Sequence, residues 1–292
     1  MREATIPPPA SRHRSVGHWR PLRTGGLLAV AVAFVGWCVF PFYIMITTAL
    51  KTDPQIFAWP PVWLFHPVLR NMQNAFFVVG GRSALFFLMN SIIVTAVSTI
   101  LAVLLGSMTA YGLARFHFPG DRNIAFFILS TRFAPPVAFV IPTYVLVERV
   151  GLLDTRLALI IVYTAANVSF VTWILRGFFV DIPKEIEEAA LVDGYRHIEI
   201  FWRVALPLIK PGVITTGILC AVFSWNEFLY AMILTQSRAS TLPVYLSQFS
   251  GSTTLVWDQY MAVGVIAVLP VLLAAWWLEK HLVRGMTFGA VR

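Results

Sequence analysis

The sequence has little charge and few of the residue patterns that support chemistry. Only 12% of its 292 residues are Asp, Glu, Lys or Arg, against about 25% in an ordinary soluble domain. With 58% hydrophobic residues and a mean hydropathy of +0.75, the chain is too apolar for a water-soluble globule and belongs among integral membrane proteins. It has two cysteines, Cys38 and Cys220, both inside apolar runs. No spacing suits a metal site or a redox pair, so both read as small buried hydrophobes. No GxxxxGK[ST] loop is present, so the chain has no ordinary ATP-hydrolysing site of its own. The HExxH and GxSxG motifs and any His/Cys ligand cluster are also missing. The expectation is therefore a non-enzyme, with no catalytic residue, cofactor or metal ligand in this chain.

What the sequence does have is long apolar runs. Six can cross about 30 Å of hydrocarbon as helix: Gly25–Leu50, Ala84–Ala114, Ile124–Val147, Leu157–Leu175, Gly212–Leu234 and Met261–Leu278. The first is far longer than the 7–15 residues of a secretory signal's apolar core, so it reads as an uncleaved span. The second is overlong and is expected to tilt or project from the bilayer. The third carries Arg132 and Pro135-Pro136 within it. Aromatics at 14% suit spans and interfacial belts. The predicted fold is an all-α polytopic inner-membrane protein with six transmembrane helices. A basic N-terminal tail covers residues 1–24 and the transmembrane domain residues 25–292.

The net charge of +8 reads as orientation charge flanking spans, not as a nucleic-acid surface. With the N-terminus inside, most Lys and Arg fall on the inner side, which places both termini in the cytoplasm. The outer loop Lys51–Ser83 is rich in Pro and aromatics. Pro60-Pro61 and Pro67 forbid a long helix there, and Trp59, Trp63 and Phe65 suit the outer interface.

The longest inner loop, Arg176–Pro211, is also the most charged part of the chain. Asp181 and Pro183 suit a helix start, and Ile182, Ile186, Ala189 and Ala190 recur at helical spacing. Gly194 is a helix stop. A second helix puts Ile198, Phe201, Trp202 and Ala205 on one face, with Glu199 and Arg203 spaced to pair, and Leu206-Pro207 ends it. This helix–glycine–helix is open to two readings: an amphipathic pair lying on the inner face, or a docking element offering Glu187 and Glu188 to a basic partner.

One pattern favours docking. Glu188-Ala189-Ala190, then Gly194, then VALP at Val204–Pro207, resemble the EAA signature of bacterial ABC importer permeases. From about Pro41 to Arg292 the chain is similar to the maltose-transporter-type, carbohydrate-uptake subfamily. The matching segments are DIPKEIEEAALVDG, WNEF (Trp225–Phe228), STLPVYL (Ser240–Leu246), AYGLARF (Ala110–Phe116), PPVAFVIPTYVLVERVGLLDT (Pro135–Thr155) and the tail HLVRGMTFGAVR. That tail ends Ala290-Val291-Arg292, where family members often end in Lys-Gly. The resemblance implies a coupling loop over 181–211, with Glu187, Glu188, Ala189, Ala190, Asp193, Gly194, Phe201 and Pro207 docking a separate ATPase. It also implies partners: an ABC ATPase dimer that carries the ATP, a second homologous permease and an extracytoplasmic substrate-binding protein, met by outer loops that include Gln236–Gln259. The implied cargo is a sugar, oligosaccharide or polyol, with glycerol phosphate or a related small polar solute as the alternative. A self-sufficient secondary transporter would show paired broken repeats, and a membrane lipid enzyme an ordered set of acids or His at one interface. Neither pattern is found.

Polar residues within spans are costly and mark a pathway or a helix–helix bond. Asn226 and Glu227 lie inside the fifth expected span, and Arg132 inside the third. Helical rise puts Arg132 about 15 Å and Glu227 about 21 Å from the inner end, so the two are expected to pair or to share an acceptor on the substrate. The alternatives are a snorkelling Arg132 and a structural polar cluster at WNEF. Thr131, Asn90 and Asn167 are further candidates for the pathway, or interhelical hydrogen bonds.

Overall fold

The computed structural model describes residues 20–77, 83–249 and 256–289, with side chains from 25 to 277 of these. Most of the expected tail and the end of the chain lie outside them. Every regular element among the described residues is helical. The chain divides into a unit ending at Met45 and a second beginning at Ile46. The first holds α1 (Arg20–Ala49) up to Met45, and the stretch Gly25–Ala49 of this helix is apolar enough to cross a membrane.

The second unit holds three more such helices: α4 (Ala84–Arg115), α7 (Arg156–Val180) and α14 (Trp257–Gly289). Two further spans are broken. Helices α5 (Asp121–Phe133) and α6 (Pro136–Arg149) meet at 97°. The segment 197–208 meets α11 (Lys210–Trp225) at 82°. The described residues thus hold four spans, or six if each bent pair is one span. The third expected span is not a rod, for the reason its prolines give. Ala134, preceding Pro135, is forced extended (φ −70°, ψ 132°), and Pro136 restarts the helix where its missing N–H costs nothing. The fifth, Gly212–Leu234, also differs from expectation. Helix α11 ends at Trp225, and a new helix, α12 (Leu229–Leu234), follows the WNEF break. Short helices α2 (Asp53–Ile56), α3 (Arg70–Phe77) and α13 (Leu242–Ser247) lie between spans.

The packing is that of a protein solvated by lipid. On α4 the large residues Leu85, Ile92, Ile100 and Leu105 face outward, while Asn90, Ser91 and Ser107 are buried. Ser98, Ala102, Gly106, Ala110 and Ala114, one every fourth residue, make a small-residue stripe that is buried throughout. This lets backbones approach where no hydrophobic force drives helices together. A Cβ on Gly106 would stand 2.6 Å from Val171 Cγ1 and 3.2 Å from the Val168 carbonyl oxygen of α7. Gly106→Ala should therefore lower stability by about 1–3 kcal/mol through overpacking, read as a lower Tm in detergent. Adding Val171→Ala should recover only part of the loss, because it removes the Cγ1 contact but keeps Val171 Cβ, 2.7 Å from the added methyl.

Candidate functional site

The inner loop is built on the end of α4. At 32 residues this helix is about 48 Å long, well beyond a bilayer core of about 30 Å, and its inner turn reaches the loop. Tyr111 and Arg115, one turn apart, both hold Glu187. The Tyr111 hydroxyl donates to Oε2 at 2.9 Å, and Arg115 Nε donates to Oε1 at 2.8 Å. Arg115 Nη2 also donates to the Ile182 carbonyl at 3.1 Å. The ion pair is closed on both sides, with side-chain exposures of 8% and 9%.

Helix α8 (Lys184–Val192) follows Pro183, while Asp181 belongs to the end of α7 and not to the start of α8. Its buried residues are Glu187 and Ala190, whereas Ile186 and Ala189, which recur at the same helical spacing, face out. The helix stops as predicted. Gly194 takes φ +88°, its N–H donates to Leu191 O at 3.0 Å, and Tyr195 N–H donates to Ala190 O at 3.1 Å. That pair of bonds is a Schellman motif, which needs a left-handed residue at this position.

The second helix differs from expectation. It begins as α9 (His197–Ile200), widens into a π-helical turn over Phe201–Ala205, and closes as α10 (Leu206–Leu208). Pro207 has no N–H for the Arg203 carbonyl and its ring crowds that group; the wide turn, with Leu206 N–H bonded to Phe201 O, accommodates it. Glu199 does not pair with Arg203. It accepts the Arg196 N–H at 2.9 Å as a cap, and the Arg203 guanidinium lies 5.9 Å from the Tyr195 ring centre. Phe201 is 1% exposed and packs with Tyr111 and Phe179 in the inner core.

The docking set thus divides. Glu188, Ala189, Asp193, Gly194 and Pro207 are exposed, whereas Glu187, Ala190 and Phe201 are buried. Glu187 is corrected from partner-facing to loop-anchoring: it is buried, and its two oxygens accept from Arg115 and Tyr111. Around the exposed set stand Leu191, Val192 at 88% exposure, and Ile198.

The pathway candidates also separate. Asn90 is fully buried: it donates to the carbonyls of Arg238 (3.2 Å) and Ser240 (2.9 Å) and accepts from Arg156 at 2.7 Å. Asn167 donates to Tyr163 O at 2.9 Å and Ser224 Oγ at 3.0 Å. Both join helices. Asn226 is exposed at the helix break and donates to Val222 O at 2.8 Å. Glu227 is not inside a helix but caps one, accepting the N–H groups of Tyr230 (3.1 Å) and Ala231 (3.3 Å). It makes no ion pair with Arg132. That guanidinium instead lies 4.9 Å from the Phe223 ring centre and 5.6 Å from that of Phe170, with a long bond to Ala166 O at 3.5 Å.

Arg132 and Thr131 line a groove of about 510 Å³ beside the α5–α6 break, with Thr143, Ser169, Ala166 and Tyr230. Thr131 and Ser169 share a hydroxyl hydrogen bond of 2.7 Å. Above the groove, Asp154 was not anticipated. It sits at φ +55° before α7 and accepts the successive N–H groups of Gln236, Ser237, Arg238 and Ala239 at 3.0–3.2 Å. Burial pushes its carboxyl up, but these donors outweigh burial and hold it below the usual carboxylate value. The loop after α12 is thereby clamped to the turn before α7.

Two bent spans and a helix–glycine–helix loop anchored to α4 thus characterise the second unit. The chain belongs to the family described as binding-protein-dependent transport system inner membrane component, which it matches over residues 102–288. It is 31% identical to the trehalose/maltose transport system permease protein MalG of Thermococcus litoralis, over 90% of this chain and 94% of that one. It is 32% identical to the sulfoquinovosyl glycerol transport system permease protein SmoH of Agrobacterium fabrum, over 94% of each. Its fold is similar to a chain in the crystal structure of a bacterial ABC transporter importing the acidic polysaccharide alginate. The TM-score there is 0.74 at 23% identity, with 94% of this chain and 99% of that chain covered. It is a multi-pass membrane permease and not itself an enzyme.

Proposed function

We propose that this chain is one permease subunit of an ATP-driven, binding-protein-dependent carbohydrate importer, and that the loop 181–211 docks a separate ATPase that carries the ATP. The observation that carries the docking is the exposed tip of α8. Glu188, Ala189, Asp193 and Gly194 face outward beside uncovered Leu191 and Val192, while Glu187, Ala190 and Phe201 fix the loop from behind. An apolar patch with acidic neighbours suits a partner cleft with a basic rim. The small Ala189 permits close approach. The carbohydrate class is supported by the two named relatives, whose cargoes are sugars or a sugar glycoside. The remaining parts are a second homologous permease across the Arg132 groove, a binding protein on the outer loops, both termini in the cytoplasm, and the division at residue 25. ATPase closure would move the loop as a lever, and the anchored α4 with it.

Affinity capture of this chain with its neighbouring subunits tests the reading. It should retain an ABC ATPase and a second permease. Glu188→Lys should release the ATPase and keep the permease. Capture of this chain alone, or an ATPase indifferent to Glu188→Lys, would overturn the assignment of the loop.

A further inference from the structure

We propose that the cargo is an anionic saccharide, carrying a carboxylate, sulfonate or phosphate, and that Arg132 is the residue that meets its charge. This rests on the importer reading above. The Arg132 guanidinium carbon lies 5.6 and 4.9 Å from the ring centres of Phe170 and Phe223, two rings that meet edge to face at 5.0 Å. These cation–π contacts hold the head group at the groove and leave N–H donors for a ligand. One of them makes the 3.5 Å bond to Ala166 O, at the outer limit for a hydrogen bond. Among the described residues, no Asp or Glu lines this groove. A cation within the depth of a span and without a counterion is expensive; an anionic ligand would supply the missing charge. Guanidinium is also the side chain best shaped to take two oxygens of a carboxylate, sulfonate or phosphate. Thr131, Ser169 and Tyr230 line the same groove and offer hydroxyls to the sugar part.

The positive charge continues inward. Between α5 and α7 a second groove of about 420 Å³ contains Arg122 and Arg176 over Ala125, Leu129 and Trp173. Ser169, in the outer groove, and Arg176, in the inner one, are seven residues apart on α7, which puts them on one face about 10 Å apart. Arg176 Nε is buried without a hydrogen-bond partner. One acid, Asp121, lines this groove too, 3.5 Å from His117. An anion leaving Arg132 toward the cytoplasm would thus meet two further cations against one carboxylate.

The test uses the whole assembly with its binding protein in proteoliposomes. Probes are matched pairs differing in one group: glucuronate, glucose 6-phosphate and 6-sulfo-glucose glycosides against the corresponding neutral glucosides. ATP-driven uptake of at least one anionic probe, without its neutral partner, is expected. Arg132→Gln should lower that uptake roughly tenfold or more, the scale of one charge-assisted contact, while ATPase capture is unchanged. Arg132→Lys should retain part of it, and Arg122→Gln should give a smaller loss. Should Arg132→Gln fail to assemble, the probe preference and the Arg122→Gln loss still decide. Uptake of neutral probes with no anionic preference, or an Arg132→Gln protein that transports normally, would overturn the proposal and leave the importer reading standing. An anionic phospholipid retained through Arg122 and Arg176, with no anionic uptake, would also overturn it. No uptake of either class together with no ATPase capture would overturn both.

Discussion

Glu187→Ala should destabilise the protein by about 3–5 kcal/mol, the cost of leaving one partner of a buried ion pair alone. Arg115 would keep its charge at 8% side-chain exposure, with Ile182 O as its remaining acceptor. The Tyr111 hydroxyl would lose its carboxylate acceptor too. Glu187→Gln should cost less, because the amide oxygen can still accept from Tyr111 or Arg115. The double change Arg115→Met with Glu187→Leu should recover much of the loss, since apolar isosteres of a buried pair are often neutral. Thermal unfolding in detergent reads all four proteins. A Glu187→Ala protein as stable as the parent would mean that the loop does not sit on α4 as described. The same variant separates anchoring from docking: Glu188 stays exposed and available, so the ATPase should still bind, while its stimulation by cargo should fall because the lever has lost its fixed point.

Much of this arrangement was legible in the sequence, and the parts that were not have a common cause. Gly194 as a stop and Pro135-Pro136 as a break are local events, set by φ and by a missing N–H, so residue type alone foretold them. The small stripe from Ser98 to Ala114, at a period of four, was not anticipated, although its pattern is also local. What failed was partner choice. Glu187 and Glu188 are neighbours of the same type, and helical spacing did not say which of the two faces inward. The inward face of α8 is set by an ion pair to a residue 72 positions earlier, which no local pattern reports. Arg115 looked like an orientation charge at a span end. Its spacing from Tyr111, one turn apart at the tip of an overlong span, was the available signal. Glu227 failed in a different way. Depth counted along a continuous helix placed it near Arg132, but the helix stops at Trp225, and the carboxylate turns to the free N–H groups of the next one. Asp154 needed a loop some 80 residues later to reveal its role.

Gly194→Pro should abolish the coupling of ATP hydrolysis to uptake while leaving the spans inserted. Proline fixes φ near −65°, whereas this position requires +88°, so the turn cannot be kept. It also removes the N–H that closes on Leu191 O and disfavours the helical backbone of Asp193 before it. The two halves of the loop would then leave the turn in a different direction, and Glu188 would no longer face the ATPase with α9 beside it. Alanine separates geometry from bulk. A Cβ here meets nothing within 4 Å, so Gly194→Ala bears only the left-handed penalty of about 1–2 kcal/mol. Asparagine tolerates that region better than alanine. Coupling, measured as ATPase stimulated by binding protein and cargo, should therefore fall in the order Gly, Asn, Ala, Pro. Labelling of the outer loops should be the same in all four. A flat series would show that the left-handed turn shapes the loop without transmitting anything through it. A steep series would locate the transmission at the junction of α8 and α9, because an added Cβ meets no neighbour in this chain and exposed charge and buried packing are unchanged between glycine and alanine at this position.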